Sequence, residues 1–172
     1  GINLYDTSAL HGNGQSEEFL GRALGRRRDH VFIATKFGLD MGDERRGAQP
    51  AYVQEAAEAS LRRLGTDRID LYQLHRPDPA TPIADTLGAL QELVRQGKVR
   101  EIGCSNFSVE QIREAAAAAP TGAKFVSVQN ELSLIQREAE GDVVPECAPS
   151  GLAFLPYFPP ARGLLPGRCR RG

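Results

Sequence analysis

Short apolar runs alternate with longer amphipathic stretches along almost the whole chain. The short runs are rich in β-branched and aromatic residues and predict buried strands. The longer stretches carry apolar residues at helical spacing and predict helices that pack against those strands. The predicted strands comprise residues 1–6, 31–35, 69–74, 98–104, 125–128 and 152–157, and the predicted helices comprise residues 16–25, 50–64, 82–97, 109–119 and 143–148.

Residues with known terminal preferences mark the ends of the helices. Ser16 and Ser108 precede helical patterns and are predicted to cap them. Pro50 suits the first position of a helix, Gly65 suits a C-terminal end, and Pro120 is expected to close the helix before it. The first helix is predicted to bury an apolar face made of Phe19, Leu20, Ala23 and Leu24.

Polar side chains stand at the C-terminal end of every predicted strand. In chain order they are Asp6, Lys36, His75, Ser105 with Asn106, Gln129 with Asn130, and Tyr157. The strand starts lie roughly 26 to 38 residues apart, and a (β/α)₈ barrel of about 250 residues averages about 31 residues per βα unit. Such a barrel gathers its functional groups at the face where the strands end. The sequence therefore predicts an α/β fold of the (β/α)₈ TIM-barrel type, incomplete, with about six βα units.

An open, doubly wound sheet is the competing architecture, because six strands would also suit it. The glycine-rich turn Gly12–Gly14 lacks the GxGxxG spacing of a dinucleotide-binding fold, and no acidic residue closes a following strand at the expected distance. An open sheet also concentrates its polar groups at a switch point and not at every strand end. These features favour the barrel.

Composition and charge narrow the function classes. The 172 residues are 41% hydrophobic and 25% charged, as in an ordinary globular domain. The formal net charge of -1 favours neither a nucleic acid nor an acidic membrane as a partner, and no apolar run approaches the roughly 20 residues that span a bilayer. The opening residues already predict a strand, so we expect no signal peptide. Widely spaced cysteines (Cys104, Cys147 and Cys169) argue against a disulfide framework or a zinc site and predict a reducing compartment, the cytoplasm.

Seven stretches of the chain carry a family resemblance. They are residues 1–7 (GINLYDT), 12–17 (GNGQSE), 34–38 (ATKFG), 70–75 (DLYQLH), 97–107 (GKVREIGCSNF), 128–130 (VQN) and 156–159 (PYFP). Together they resemble the aldo-keto reductase family, and the resemblance extends from the first residue to about Leu165. It implies an NADPH-dependent reductase that converts aldehydes or ketones, as small-molecule carbonyl substrates, to alcohols. It also implies a catalytic tetrad of Asp, Tyr, Lys and His.

The resemblance places three of the four catalytic positions at Asp6, Lys36 and His75. A buried pair of Asp6 and Lys36 is physically reasonable, since an ammonium is tolerated in a barrel mouth only where a carboxylate compensates it. Its positive field lowers the pKa of a neighbouring proton donor. His75 would donate a hydrogen bond to the substrate carbonyl and stabilise the charge that develops as hydride arrives.

The fourth catalytic position departs from the family, because His11 stands where the proton-donating tyrosine is expected. An unperturbed imidazole has a pKa of about 6.5 and a phenol a pKa of about 10. The like charge of Lys36 disfavours an imidazolium, so we expect His11 to be neutral at pH 7. Its N–H can donate but reaches less far than a phenol. We therefore expect impaired or altered reduction, with loss of activity as the alternative.

The resemblance implies NADPH as the cofactor and seven residues that bind it. Three would hold the nicotinamide carboxamide, one would stack on the nicotinamide ring, and three lie in the loop over the pyrophosphate. In that order they are Ser105, Asn106 and Gln129; Tyr157; and Phe158, Arg162 and Gly163. The guanidinium of Arg162 is the expected phosphate partner.

The extent of the chain also departs from the family pattern. Six strands cannot close an eight-stranded barrel, and the family's first and last strands fall outside residues 1–172. We predict a partial barrel domain over residues 1–165 and a basic, disordered tail over residues 166–172. The alternative to a reductase is a non-catalytic paralogue that senses a nucleotide or binds a partner, or a degenerate fragment. A metal-dependent barrel hydrolase ranks third, since only Asp6 and His75 would serve as ligands.

Overall fold

The computed structural model describes residues 1–41, 46–119 and 122–167. In this part of the chain six strands form one parallel sheet in sequence order. The strands are β1 (Leu4–Asp6), β2 (Phe32–Phe37), β3 (Ile69–Leu74), β4 (Val99–Ser105), β5 (Phe125–Glu131) and β6 (Ala153–Tyr157). The helices are α1 (Gln15–Leu24), α2 (Pro50–Leu64), α3 (Ile83–Arg95), α4 (Val109–Ala118) and α5 (Val143–Ser150). Short 3₁₀ segments cover Gly25–His30, Glu138–Glu140 and Ala161–Gly163.

The sheet is strongly curled. Gln129 on β5 donates through Nε2 to Oδ2 of Asp6 on β1 at 3.3 Å, although β2, β3 and β4 lie between these two strands. In a flat sheet, strands four places apart would be separated by roughly 19 Å, because neighbouring strands are spaced about 4.8 Å. The six strands therefore form the partial barrel that the sequence predicted, and the open doubly wound sheet is excluded.

The core lies between the convex face of the sheet and the helices. Side chains from the strands meet side chains from α2 and α3 there and are almost completely excluded from solvent. They include Ile33, Ile69, Tyr72, Ile102 and Val128 from the strands and Val53, Leu61, Leu90 and Leu93 from the helices. Complete burial of one such aliphatic side chain contributes about 1.5–3 kcal/mol, so this layer is what holds the strand ends in place.

Several helix boundaries follow the local signals of the sequence. Pro50 is the first residue of α2, and Gly65 ends it with a φ of 62°. Ser108 forms a capping box with Gln111: the Ser108 Oγ accepts from the Gln111 N–H, and the Gln111 Oε1 accepts from the Ser108 N–H. These signals act within one turn of chain and need no tertiary contact.

The start of α1 differs from the prediction. Gly14 occupies the N-cap position with a φ of 90° and no side-chain cap. Ser16 lies inside the helix, where its hydroxyl is 2.7 Å from the hydroxyl of Thr7. The positive φ favours glycine here, and a Cβ atom at position 14 would stand 2.6 Å from the Cδ of Arg63, so that side chain would have to shift.

The buried face of α1 is also rotated from the one predicted. Phe19 is 59% exposed and Ala23 is exposed, which makes that part of the prediction wrong. The inward positions are instead Glu17, Leu20, Gly21 and Leu24, at spacings of i, i+3, i+4 and i+7. A Cβ atom at Gly21 would lie 2.3 Å from the backbone oxygen of Leu64, so α1 packs closely on the end of α2. The inward face of α1 thus contains Glu17 and Gly21, and a search for apolar residues at helical spacing could not identify it.

Parts of three predictions lie outside the described residues. These are Pro120 as the end of a helix, Cys169, and the basic tail beyond Gly167. Among the helices that the structure describes, none combines the length and the apolar character needed to cross a membrane.

Candidate active site

The polar strand ends that the sequence predicted meet in one cleft of about 440 Å³, except Asn130, whose Nδ2 donates to the Phe107 carbonyl oxygen outside the cleft. Ten of the eleven predicted site residues line it: Asp6, His11, Lys36, His75, Ser105, Asn106, Gln129, Tyr157, Phe158 and Arg162. Gly163, the eleventh, follows Arg162 in the chain but is not among the lining residues. The convergence has a simple cause, because parallel strands end at the same rim of a barrel.

An ion pair of Lys36 and Asp6 forms the floor of the cleft, but it is not buried on both sides as the sequence predicted, because the Asp6 side chain is 39% exposed. Lys36 is 3% exposed, and its Nζ donates to Asp6 Oδ1 at 2.8 Å, to Asp6 Oδ2 at 2.7 Å and to the Thr7 carbonyl oxygen at 2.8 Å. The three N–H groups of the ammonium are therefore all used. Lys36 can act on a molecule in the cleft through its electric field, but it has no hydrogen left to donate to that molecule.

The Asp6 carboxylate is supported by two glutamine side chains. Gln129 Nε2 donates to Asp6 Oδ2 at 3.3 Å, and Gln73 Nε2 donates to Asp6 Oδ1 at 3.4 Å. Gln73 is fully buried, and its Oε1 lacks a hydrogen-bond partner among the described residues. Gln73 was not among the site residues predicted from the sequence. The available signal was its place on β3 two residues before His75, which follows the strand directly; in extended chain this spacing puts both side chains on the same face.

Two histidine rings lie side by side in the cleft, in edge-to-face contact. The ring centroids of His11 and His75 are 6.5 Å apart, and the planes meet edge to face at 85°. Burial and then the charge of Lys36 lower the pKa of His11, while Asp6 and Glu17 partly oppose the shift. Burial, followed by the positive charges of Lys36, His11 and Arg76, lowers the pKa of His75 to about 4. Both rings are therefore neutral at pH 7, as the sequence predicted for His11.

A hydrogen-bond chain joins the ends of β3, β4, β5 and β6. The Tyr157 hydroxyl donates to Asn106 Oδ1 at 2.8 Å. The Asn106 Nδ2 donates to the His75 carbonyl oxygen at 3.0 Å and to Ser105 Oγ at 3.1 Å. Ser105 Oγ in turn donates to the Gln129 carbonyl oxygen at 2.7 Å. Both amide hydrogens of Asn106 are thus used inside the protein, and the chain holds the Tyr157 ring in one orientation.

An aromatic and cationic group closes one side of the cleft. The Tyr157 and Phe158 rings are 5.2 Å apart at 84°, and the Arg162 guanidinium lies 4.8 Å from the Phe158 ring centroid. Phe158, Ala161 and Arg162 all have positive φ values, of 52°, 48° and 54°. Such values are costly for residues other than glycine and cluster at binding sites. Within the described residues, Arg162 forms no ion pair with a carboxylate.

A second ion pair supports the strand that carries Lys36. Glu17 is fully buried, and its carboxylate accepts from Arg63 Nε and from the Thr35 hydroxyl, both at 2.6 Å. Thr35 immediately precedes Lys36 on β2. This role of Glu17 was not predicted from the sequence, since a glutamate in the first turn of a helix is also expected from the helix dipole alone.

Among the described residues, no group of three or more His, Cys, Asp or Glu side chains could hold a metal ion.

We expect the stability of the protein to fall as the pH is lowered from about 6.5 towards 4. Because the pKa of His75 is about 4 in the folded chain, the unfolded chain binds this proton first and is favoured as the pH falls. The measurement is the thermal midpoint at several pH values for the protein and for His75→Gln, which should show a flatter dependence. The matched control is His30→Gln at an exposed position, which should keep the original slope. An equal slope in His75→Gln would contradict the assignment.

The fold and the cleft define a class: a TIM-barrel-type α/β protein with an Asp–Lys pair at the ends of its strands. The chain belongs to the aldo/keto reductase family, whose model matches residues 1–172. This confirms the family predicted from the sequence stretches around Asp6, Lys36 and His75.

Curated relatives match over nearly the whole chain. The aldo-keto reductase YhdN of Bacillus subtilis is 43% identical over 98% of this chain and 51% of its own length. A probable aldo-keto reductase of Glycine max is 40% identical over 98% of this chain and 49% of its own length. The chain thus spans about half the length of the curated relatives it matches.

Solved structures share the fold. A glycerol dehydrogenase from Gluconobacter oxydans superposes with a TM-score of 0.88 at 38% identity, over 99% of this chain and 53% of that chain. An aldo/keto reductase from Klebsiella pneumoniae, solved in complex with NADP and acetate, gives a TM-score of 0.84 at 31% identity, over 100% of this chain and 57% of that chain.

Proposed function

We propose that the protein is an NADPH-dependent reductase that converts small aldehydes or ketones to alcohols. The observation that carries the proposal is the single cleft in which the Lys36–Asp6 pair, His75 and Tyr157 converge. Membership of the aldo/keto reductase family and the NADP in the related Klebsiella pneumoniae structure support it. The chain spans about half of its curated relatives, so the activity is proposed for the protein as a whole.

The nicotinamide end of the cofactor suits the side of the cleft formed by Gln129 and Tyr157. A carboxamide needs both an acceptor and a donor, and the Gln129 amide uses only one Nε2 hydrogen, on Asp6, within the described residues. Its Oε1 and its second N–H therefore match a carboxamide. The half-buried Tyr157 ring, held by Asn106, offers a flat apolar face for stacking. Ser105 and Asn106 would shape this site through the hydrogen-bond chain.

The phosphate end of the cofactor suits the loop that follows β6. Within the described residues the Arg162 guanidinium forms no ion pair with a carboxylate, and the Phe158 ring braces it. Guanidinium groups bind phosphate oxygens through paired hydrogen bonds. Gly163 has a φ of 94° and follows directly, so its backbone could pass close to a diphosphate.

The bound nicotinamide would supply the hydride, and the chain would stabilise and protonate the resulting oxyanion. His75 would donate a hydrogen bond to the carbonyl oxygen, and the ammonium of Lys36 would stabilise negative charge through its field. His11, neutral at pH 7, is the candidate proton donor. An imidazole N–H is a weak acid compared with an imidazolium, so we expect the rate to be low.

His11 also favours a second candidate, a non-catalytic protein of the same fold that binds the nucleotide without turning it over. A turnover assay with NADPH and small aldehydes separates the two candidates. Oxidation of NADPH that depends on the aldehyde supports the reductase, and nucleotide binding without turnover supports the second candidate. Free, buried thiols at Cys104 and Cys147 agree with a reducing, cytoplasmic setting, and the proposal needs no nucleic-acid or membrane partner.

NADPH should raise the thermal midpoint of the protein. At a free concentration of 100 times its Kd, a ligand that binds only the folded state contributes about 2.7 kcal/mol of stability. The measurement is a circular-dichroism melt with and without NADPH, repeated for Arg162→Ala, in which the shift should shrink. The matched control is Arg22→Ala, because Arg22 stacks on Phe19 at 4.9 Å in the same manner but on exposed α1 surface. A midpoint insensitive to NADPH would contradict the proposed function.

A further inference from the structure

Ser8 lies directly behind the imidazole of His75. It follows β1 by two residues and is completely excluded from solvent. Its Oγ is 3.1 Å from His75 Nδ1 and accepts a hydrogen bond from the Leu10 N–H at 3.2 Å. The Ser8 hydroxyl therefore joins the turn that leads to His11 with the His75 ring, which follows β3 and lines the cleft.

The donor and acceptor positions of the Ser8 hydroxyl determine which group donates in the hydrogen bond between Ser8 and His75. A serine hydroxyl has one hydrogen and two acceptor positions, and the Leu10 N–H occupies one of the acceptor positions. Within the described residues, the hydroxyl has no other acceptor for its hydrogen than His75 Nδ1. If the ring donated instead, a buried hydroxyl hydrogen would lack a partner, which is costly. The arrangement that satisfies every group has the Ser8 O–H donating to His75 Nδ1.

Because His75 is neutral at pH 7, the direction of the hydrogen bond from Ser8 determines which ring nitrogen of His75 carries the hydrogen. Burial and neighbouring positive charges lower the pKa of the ring to about 4, so it carries one N–H at pH 7. A neutral imidazole that accepts at one nitrogen carries its hydrogen on the other. We propose that Ser8 is a positioning residue that keeps the hydrogen of His75 on Nε2, the nitrogen left free to donate into the cleft.

The consequence for catalysis rests on the proposed reductase function. A carbonyl oxygen that gains negative charge needs an N–H, and the other tautomer would present it with a lone pair. Loss of the Ser8 hydroxyl removes one neutral hydrogen bond, which corresponds to roughly a fivefold change in the tautomer ratio. We therefore expect Ser8→Ala to lower kcat by at most about fivefold, since kcat follows the fraction of the Nε2–H tautomer, and to leave the KM for NADPH unchanged.

The test is nitrogen-15 NMR of the histidine rings in the full 172-residue chain at pH 7, without cofactor. The expected spectrum shows the Nδ1 of His75 unprotonated and its Nε2 protonated, with a shift towards the other tautomer in Ser8→Ala. The matched control is Ser16→Ala, the same substitution nearby, whose hydroxyl pairs with Thr7 and not with His75. It should leave the His75 signals unchanged.

The outcomes distinguish the role of Ser8 from the proposed reductase function. A protonated Nδ1 in the unsubstituted chain overturns the role of Ser8 even if Ser8→Ala does not fold, and so does an unchanged ratio in folded Ser8→Ala. The expected tautomer without any NADPH turnover supports the role of Ser8 and counts against the reductase function. Turnover together with a protonated Nδ1 supports the reductase function and overturns the role of Ser8 alone.

Discussion

Replacing Glu17 with alanine should lower the free energy of unfolding by about 3–5 kcal/mol, the range for breaking one side of a buried ion pair. The Glu17 carboxylate is fully buried and holds both Arg63 and Thr35 at 2.6 Å. Its loss leaves the Arg63 guanidinium without its counter-charge and the buried Thr35 hydroxyl without its acceptor. Because Thr35 precedes Lys36 on β2, the loss should also loosen the floor of the cleft.

Equilibrium unfolding in urea measures this effect through the midpoint and the slope. Glu18→Ala is the matched control, since Glu18 is the next residue of the same helix turn and is exposed. Its midpoint should stay close to that of the unsubstituted chain. The double variant Glu17→Leu/Arg63→Met, which replaces both charges with apolar side chains, should recover much of the loss. A Glu17→Ala midpoint as high as that of Glu18→Ala would show that the pair contributes nothing.

His11→Tyr should raise the reductase rate by about a hundredfold, the lower end of the usual contribution of a positioned general acid. The phenol extends further into the cleft than the imidazole that it replaces. The buried ammonium of Lys36 would lower the pKa of that phenol through its field and make it a better proton donor. The KM for NADPH should not change, because His11 is not among the residues proposed to hold the cofactor and contacts the His75 ring instead.

The measurement is aldehyde-dependent oxidation of NADPH, followed by absorbance. It is made on two proteins, each with and without the substitution. One is the 172-residue chain, and the other is a chimera in which this chain replaces the matching stretch of Bacillus subtilis YhdN. His11→Phe is the matched control, because it supplies the ring without the hydroxyl and should bring no gain. A similar rate for His11→Tyr and His11→Phe would show that proton donation at position 11 does not limit the reaction.

The elements of this fold could be predicted because their signals are local. β3 occupies residues 69–74 as predicted. α2 spans Pro50–Leu64, so it begins at the proline and ends before the glycine, Gly65, that predicted its bounds. The capping box at Ser108 likewise depends on residues within one turn. The first helix was less well predicted, since its inward face depends on what α2 presents to it, namely Arg63 and the backbone of Leu64.

The convergence of the site could also be predicted, because the direction of parallel strands brings their ends to one rim. That argument, with the family resemblance, placed Asp6, Lys36, His75 and Tyr157 in a common cleft before any distance was known. Ser8 was not predicted, since a serine after a strand has no distinctive pattern, and Gln73 was not predicted because its only signal was its spacing from His75. Their roles come from partners that lie far away in the chain.

The sequence by itself determined the order of the elements, the parallel barrel type and the residues at the strand ends. These depend on side-chain periodicity and chain direction, which are properties of neighbouring residues. Only the tertiary structure decided that Glu17 faces inward, that Asp6 receives Gln73 and Gln129, and that Ser8 stands behind His75. Burial, hydrogen-bond direction and pKa depend on atoms brought together from distant parts of the chain, and a linear pattern does not contain those distances.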